Sequence, residues 1–181
     1  MRATKRFGLA LLLFTLPLFS AYAQSHKKKD AKPEPTKGEL VEYIRGALLS
    51  MSPNDGINDN LDVSFDMNTN VMTIVNPAGH CDFFLYAMNA NNTVWDIWDP
   101  SDSFRTREKL LRLTLVSMNG KPGRTCYDKS NQVDTTLLPN RARFLFSESK
   151  ADVEPDFTDK MVKAFQKLIA LSGGTPEKQL F

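Results

Sequence analysis

The hydrophobic positions change period twice along the chain. Leu40, Val41, Ile44, Ala47, Leu48 and Met51 recur at helical spacing and predict an amphipathic helix with one apolar stripe. Ahead of it, Thr36 and Glu39 fit a capping box, in which a hydroxyl and a carboxylate each hold a free backbone amide. Ser52-Pro53-Asn54-Asp55-Gly56 stops the helix. The period then falls to two. Leu61, Val63 and Phe65 alternate with Asp62, Ser64 and Asp66, and Met67 to Asn70 reverses the chain into a second strand, Val71 to Val75. Asn76-Pro77-Ala78-Gly79 reads as a break in that pairing.

From Cys81 to Met88 the pattern is ambiguous: Cys81, Leu85 and Met88 suit a helix, while the aromatic content suits a strand. Asn89 to Asn92 reads as a polar break, and Val94 to Trp98 as a short strand ended by Asp99-Pro100. Leu111, Leu113 and Leu115 alternate with Arg112, Thr114 and Val116 up to a turn at Asn119 to Gly123. Arg124 to Tyr127 continues the sheet. Arg141 to Phe146 puts two arginines on one face and Ala142, Phe144 and Phe146 on the other. Helical spacing returns at Phe157, Met161, Ala164, Phe165, Leu168 and Ile169, with Lys160, Lys163 and Lys167 toward water. Asp156 is the expected N-cap of this helix and Gly173-Gly174 its stop. The order predicts an α+β fold: a single domain over residues 38–174, an antiparallel sheet packed by N- and C-terminal amphipathic helices. In element order alone, it resembles a pleckstrin-homology-like arrangement, a curved, partly closed sheet shut by the last helix.

Residues 1–23 have the pattern of a secretory signal peptide: Arg2, Lys5 and Arg6, an uncharged run from Phe7 to Phe19, then Ala21-Tyr22-Ala23 before Gln24. The run is shorter than the roughly 20 residues a spanning helix needs, so no integral membrane segment is expected after cleavage. Residues 24–37, rich in lysine and proline, read as a disordered leader, and 175–181 as a tail. An exported protein, periplasmic or extracellular, is the expectation. The chain carries 23 basic and 21 acidic residues, a formal +2. Losing Arg2, Lys5 and Arg6 turns that into −1, which removes the electrostatic case for nucleic acid. Export makes a disulfide between Cys81 and Cys126 the default.

Most catalytic patterns are missing. His26 falls in the leader and His80 is the only other histidine, so no histidine-rich zinc site can form. H-E-x-x-H, G-x-S-x-G, the P-loop and the dinucleotide fingerprint do not occur. Ser147-Glu148-Ser149-Lys150 matches S-x-x-K only by its letters, and Asp66 to Asn70 starts like an EF-hand loop but has Val71 where glycine is needed. No cofactor, catalytic residue or metal ligand is assigned. Three groups remain. Asp96, Asp99 and Asp102 with His80 hold the residue types of acid–base or cation chemistry, although the acids equally suit a turn. Arg105, Arg107, Lys109, Arg112, Arg141 and Arg143 would share a basic face if their strands are neighbours. Phe83, Phe84, Tyr86, Trp95 and Trp98 would offer an aromatic one. The leading expectation is a non-enzymatic binding or interaction module using Trp95, Trp98, Arg112, Arg141 and Arg143 to hold an unspecified protein or small ligand. A hydrolase or metal-dependent enzyme built on Asp96, Asp99, Asp102 and His80 is the first alternative. A structural or stress-related envelope protein is the second.

Overall fold

The capping box forms as the sequence predicts. In the computed structural model, which describes residues 33–53, 61–98, 109–118 and 120–175 and only the backbone of Trp98, Thr36 Oγ1 accepts from the Glu39 amide at 3.3 Å. The Glu39 carboxylate accepts from the Thr36 amide at 2.7 Å. Helix α1 (Lys37–Ser50) follows and buries Leu40, Ile44, Ala47 and Leu48. The signal sequence, most of the leader, Asp99, Asp102, Arg105, Arg107 and the tail beyond Thr175 lie outside the described residues.

Strands β1 (Asp62–Asp66), β2 (Val71–Asn76), β3 (Gly79–Phe84) and β6 (Arg124–Asp128) form one antiparallel sheet in the order β1-β2-β3-β6. The segment Asn76 to Gly79 does not break the pairing but closes a tight hairpin. Asn76 stands opposite Gly79, and its side-chain oxygen accepts from the amides of Ala78 (2.8 Å) and Gly79 (3.1 Å). Gly79 has φ 152°, and a Cβ there would lie 2.0 Å from the Tyr127 carbonyl oxygen, so no other residue fits beside β6.

The ambiguous stretch resolves into a corner. β3 ends at Phe84, Leu85–Ala87 make one 3-10 turn, and β4 (Met88–Trp98) begins at once. Leu85, Ala87 and Met88 are all buried, so neither a two-residue nor a helical period could describe the turn. β4 also runs straight through the expected break at Asn89 to Asn92. A register shift between Asn89 and Val94 takes up the extra residues. Asn89 Oδ1 accepts from the Asn91 amide (3.0 Å), and Thr93 Oγ1 donates to the Ala90 carbonyl (3.0 Å).

With β5 (Leu110–Ser117) and β7 (Arg141–Ser147), β4 forms a second antiparallel sheet, order β4-β5-β7. The fold is therefore α+β, but it holds two sheets where one was expected, and among the described residues they do not close into a barrel. Phe84 N to Gly123 O (2.9 Å) and Met118 N to Ala87 O (2.8 Å) extend the β3–β6 and β4–β5 ladders to the corner, and bonds from Gly123 N (2.7 Å) and Arg124 N (3.0 Å) to Pro139 O tie the first sheet to the chain entering β7. β7 then runs into a short helix, α2 (Glu148–Ala151). Here the S-x-x-K letters have a structural meaning, since Ser147 Oγ caps the turn by accepting from the Lys150 amide at 3.3 Å.

Helix α3 (Phe157–Leu171) buries its predicted stripe, Phe157, Met161, Ala164, Phe165, Leu168 and Ile169. Asp156 occupies the N-cap position but makes no side-chain capping bond, because its left-handed backbone (φ 60°) turns the carboxylate away from the first amides. The α3 stripe packs on the second sheet and against α1. At the centre, Phe144 of β7 stacks on Phe165 (centroids 5.1 Å apart) and meets Phe83 of β3, also at 5.1 Å. One ring thus joins both sheets to the helix. The described residues from Glu34 onward make one compact body. No helix among the described residues is long and apolar enough to cross a membrane.

Cys81 and Cys126 stand directly opposite across β3 and β6, with sulfurs at bonding distance, 2.06 Å. Replacing Phe144 by Ala is expected to lower unfolding free energy by about 3–5 kcal/mol, read as a fall in urea midpoint. Replacing exposed Arg141 on the same strand by Ala should change it by no more than about 0.5 kcal/mol. The double change Cys81→Ala, Cys126→Ala is expected to cost about 4 kcal/mol for a loop of 45 residues. Reducing the unsubstituted protein should then give the same drop.

Candidate functional site: a two-arginine cleft

Three of the arginines singled out in the sequence do share a face. β5 and β7 are neighbours, with Arg112 opposite Leu145, Thr114 opposite Arg143 and Val116 opposite Arg141. Side chains alternate along a strand, so Arg112, Arg141 and Arg143 all lie on the side of the second sheet opposite Leu113, Phe144 and Phe146. Their circumstances differ. Arg112 stands across from Asp96 and grips it with both prongs: Nε donates to Oδ1 at 2.9 Å, and a terminal nitrogen donates to Oδ2. That hydrogen bond to Arg112 holds the Asp96 carboxyl below its usual value against a small opposing effect of burial, and the charges of Arg112 and Arg143 add to it. Because the folded value is depressed, the pair's stability is present above the ordinary carboxylate range and lost as pH falls through the folded value. Solvent exposure keeps it below about 1 kcal/mol.

Arg143 has no such partner among the described residues. Among the described residues, the ion pairs are Arg45–Glu42, Arg112–Asp96, Lys160–Glu154 and Lys167–Glu34. Arg143 instead borders a cleft of about 130 Å³ between the two sheets. From the first sheet, Ile74, Cys81, Phe83 and Arg124 line it; from the second, Arg143 and Leu145.

Arg124 is the residue that sequence reasoning missed. It is half-buried, stands opposite Phe83 in the β3–β6 register, and lies two residues from Cys126 on the same face. Its Nε donates to the Leu138 carbonyl at 3.1 Å. Burial, and then the charge of Arg143, push its guanidinium below the usual value, while Asp134 pulls the other way. The Asp134 carboxylate is already held by the amide (2.9 Å) and hydroxyl (2.6 Å) of Thr136, and no ion pair with Arg124 forms. The signal was present in the sequence. If Cys126 faces inward to meet Cys81, Arg124 must face inward too.

The remaining candidates fall elsewhere. Trp95 is half-buried: its indole N–H donates to the Thr158 carbonyl (3.1 Å), and its ring packs on Phe146 and Phe157, which fastens β4 to α3. The backbone of Trp98 ends β4 opposite Leu110. His80 stacks on Tyr127 (centroids 4.5 Å apart, 16° between planes) in the first sheet, whereas Asp96 sits in the second, in the grip of Arg112. Among the described residues, no group of three His, Cys, Asp or Glu side chains could hold a metal ion. Compared with protein-family models, with curated proteins and with solved structures, the chain has no match.

A half-buried cation that forms no ion pair among the described residues is an electrostatic burden on the folded state. Replacing Arg124 by Met is therefore expected to leave the urea midpoint unchanged or raise it. A loss of more than about 1 kcal/mol would mean that Arg124 is a structural tie rather than a group held ready for a ligand.

Proposed function

We propose that the protein is a non-enzymatic, exported binding domain, and that its site is the cleft holding Arg124 and Arg143, which takes an anionic group. The observation that carries this reading is the position of Arg124: half-buried, beside a second guanidinium, with no ion-pair partner among the described residues. An anion placed between the two arginines removes their mutual repulsion and supplies what neither strand provides. Guanidinium groups suit this work, since their planar fork matches a carboxylate or phosphate and keeps its charge at any relevant pH. Export rests on the N-terminal pattern of Arg2, Lys5, Arg6 and Ala21-Tyr22-Ala23, with the Cys81–Cys126 pair as a compatible feature.

The test is a titration of isotopically labelled protein with glutarate and, separately, with inorganic phosphate, following the arginine Nε–Hε resonances. Saturable shifts at Arg124 and Arg143, with Arg112 unmoved, are the expected result. Arg124→Gln should weaken binding by about tenfold or more, the effect of losing one hydrogen bond to a charged group. Small, linear shifts spread evenly over all arginines would overturn the assignment.

A further inference from the structure

The backbone beside the two arginines is also unpaired. The bonds Ser117 N to Asn140 O (3.0 Å) and Glu148 N to Lys109 O (3.2 Å) bracket the β5–β7 ladder and fix its phase. Antiparallel ladders alternate between bonded and non-bonded pairs. Ala142, Phe144 and Phe146 therefore exchange bonds with β5, whereas Arg143 and Leu145 turn their N–H and C=O groups to the free edge. That edge is closed at both ends, by Arg141 N to Leu138 O (3.4 Å) and Ser147 N to Met51 O (2.7 Å). Between those closures, β7 has no strand beside it among the described residues. The open window is Arg143 to Leu145, the stretch of β7 that lines the cleft.

Three further facts narrow the occupant. At about 130 Å³, the cleft is well below the roughly 300–1,000 Å³ of a small-molecule pocket, so it suits one side chain of a longer ligand. Its walls alternate in character. A residue laid opposite Arg143 would share that arginine's side of the sheet, while its neighbours would face Phe83, Ile74 and Phe144. A second copy of this chain is a poor fit, because symmetric pairing of β7 over this window sets Arg143 opposite Leu145, and β7 carries no carboxylate to offer the two arginines.

Resting on the anion-site reading above, we propose that the cleft takes an extended acidic segment of a partner polypeptide. This segment adds to β7 as a further strand of the second sheet. Its backbone bonds to Arg143 and Leu145, and one carboxylate lies between Arg124 and Arg143. Main-chain bonds supply affinity in such strand addition, and alternate side chains supply selectivity. Of the segment, the structure asks for an acid with an apolar residue on either side.

The probe is acetyl-Gly-Val-Glu-Val-Gly-amide, with a form N-methylated on the glutamate amide, a form N-methylated on the following valine, and a form with Gln for Glu. Binding is measured by fluorescence anisotropy of peptides that carry a fluorophore in place of the acetyl group, with the full chain. The glutamate amide faces β7, whereas the valine amide faces away. Methylation at glutamate should therefore weaken binding by about tenfold or more, while methylation at valine should change it less than about threefold. Arg143→Glu, at an exposed position, should abolish binding of the Glu peptide while leaving the circular dichroism spectrum unchanged. Equal binding of both methylated forms, with loss in Arg143→Glu, would overturn strand addition and leave the anion site standing. Equal binding of the Glu and Gln peptides to wild-type, Arg124→Gln and Arg143→Glu proteins would overturn both. A concentration-dependent dimer in sedimentation velocity that the Glu peptide dissolves would replace the partner segment with a second copy.

Discussion

The contact on which the rest depends is the ring of Phe144, set between Phe83 on one side and Phe165 on the other. Among the described residues the two sheets share no ladder; they meet through backbone bonds at one corner and through this aromatic contact at the centre. The helix packs from the other side, so a single buried side chain fixes the spacing of three layers. Aromatic contacts of this kind combine a large buried area with a preferred geometry, and the geometry matters here as much as the energy. Were the sheets free to slide, the cleft beside the contact would have no fixed width.

The same contact places the two arginines. Arg124 stands across the ladder from Phe83, and Arg143 is the chain neighbour of Phe144. Whatever holds those rings together therefore also holds the guanidinium groups at opposite lips of one cleft. The Cys81–Cys126 pair ties the strands beside Arg124, two residues along the same register. Packing, cross-link and charge thus converge on one short length of β7. Repulsion between Arg124 and Arg143 is tolerated because the core around Phe144 over-determines their positions, a trade often seen where a site is prepared for a ligand.

Elements with one buried face were legible in the sequence. α1, α3, β1, β5 and β7 each carry a clean period, and even the Thr36–Glu39 box could be read residue by residue. What failed was the corner between the sheets, where all four residues read as apolar although Tyr86 is exposed. At Leu85 to Met88 every second residue is apolar and so is the one between, so no period survives, and the change of sheet is written there. β4 failed for another reason: a bulge inserts residues that look like a loop while the ladder continues. The split into two sheets follows from that corner and could not be read from strand patterns alone.

The site was partly legible. The common face of Arg112, Arg141 and Arg143 followed from strand alternation once β5 and β7 were neighbours. Trp95 drew attention by rarity, although its indole N–H is taken up within the fold by Thr158. Arg124 escaped notice because a lone arginine in a short strand has no motif; only its parity with Cys126 marks it. The open edge at Arg143 and Leu145 is a property of the ladder's phase and is invisible without the register. Native-state hydrogen exchange reads that phase directly in the free protein. The amide of Phe144, bonded to β5, should be strongly protected, while those of Arg143 and Leu145 on either side should exchange close to the rate of exposed backbone. Protection of all three alike would mean the edge is already occupied and would contradict the account.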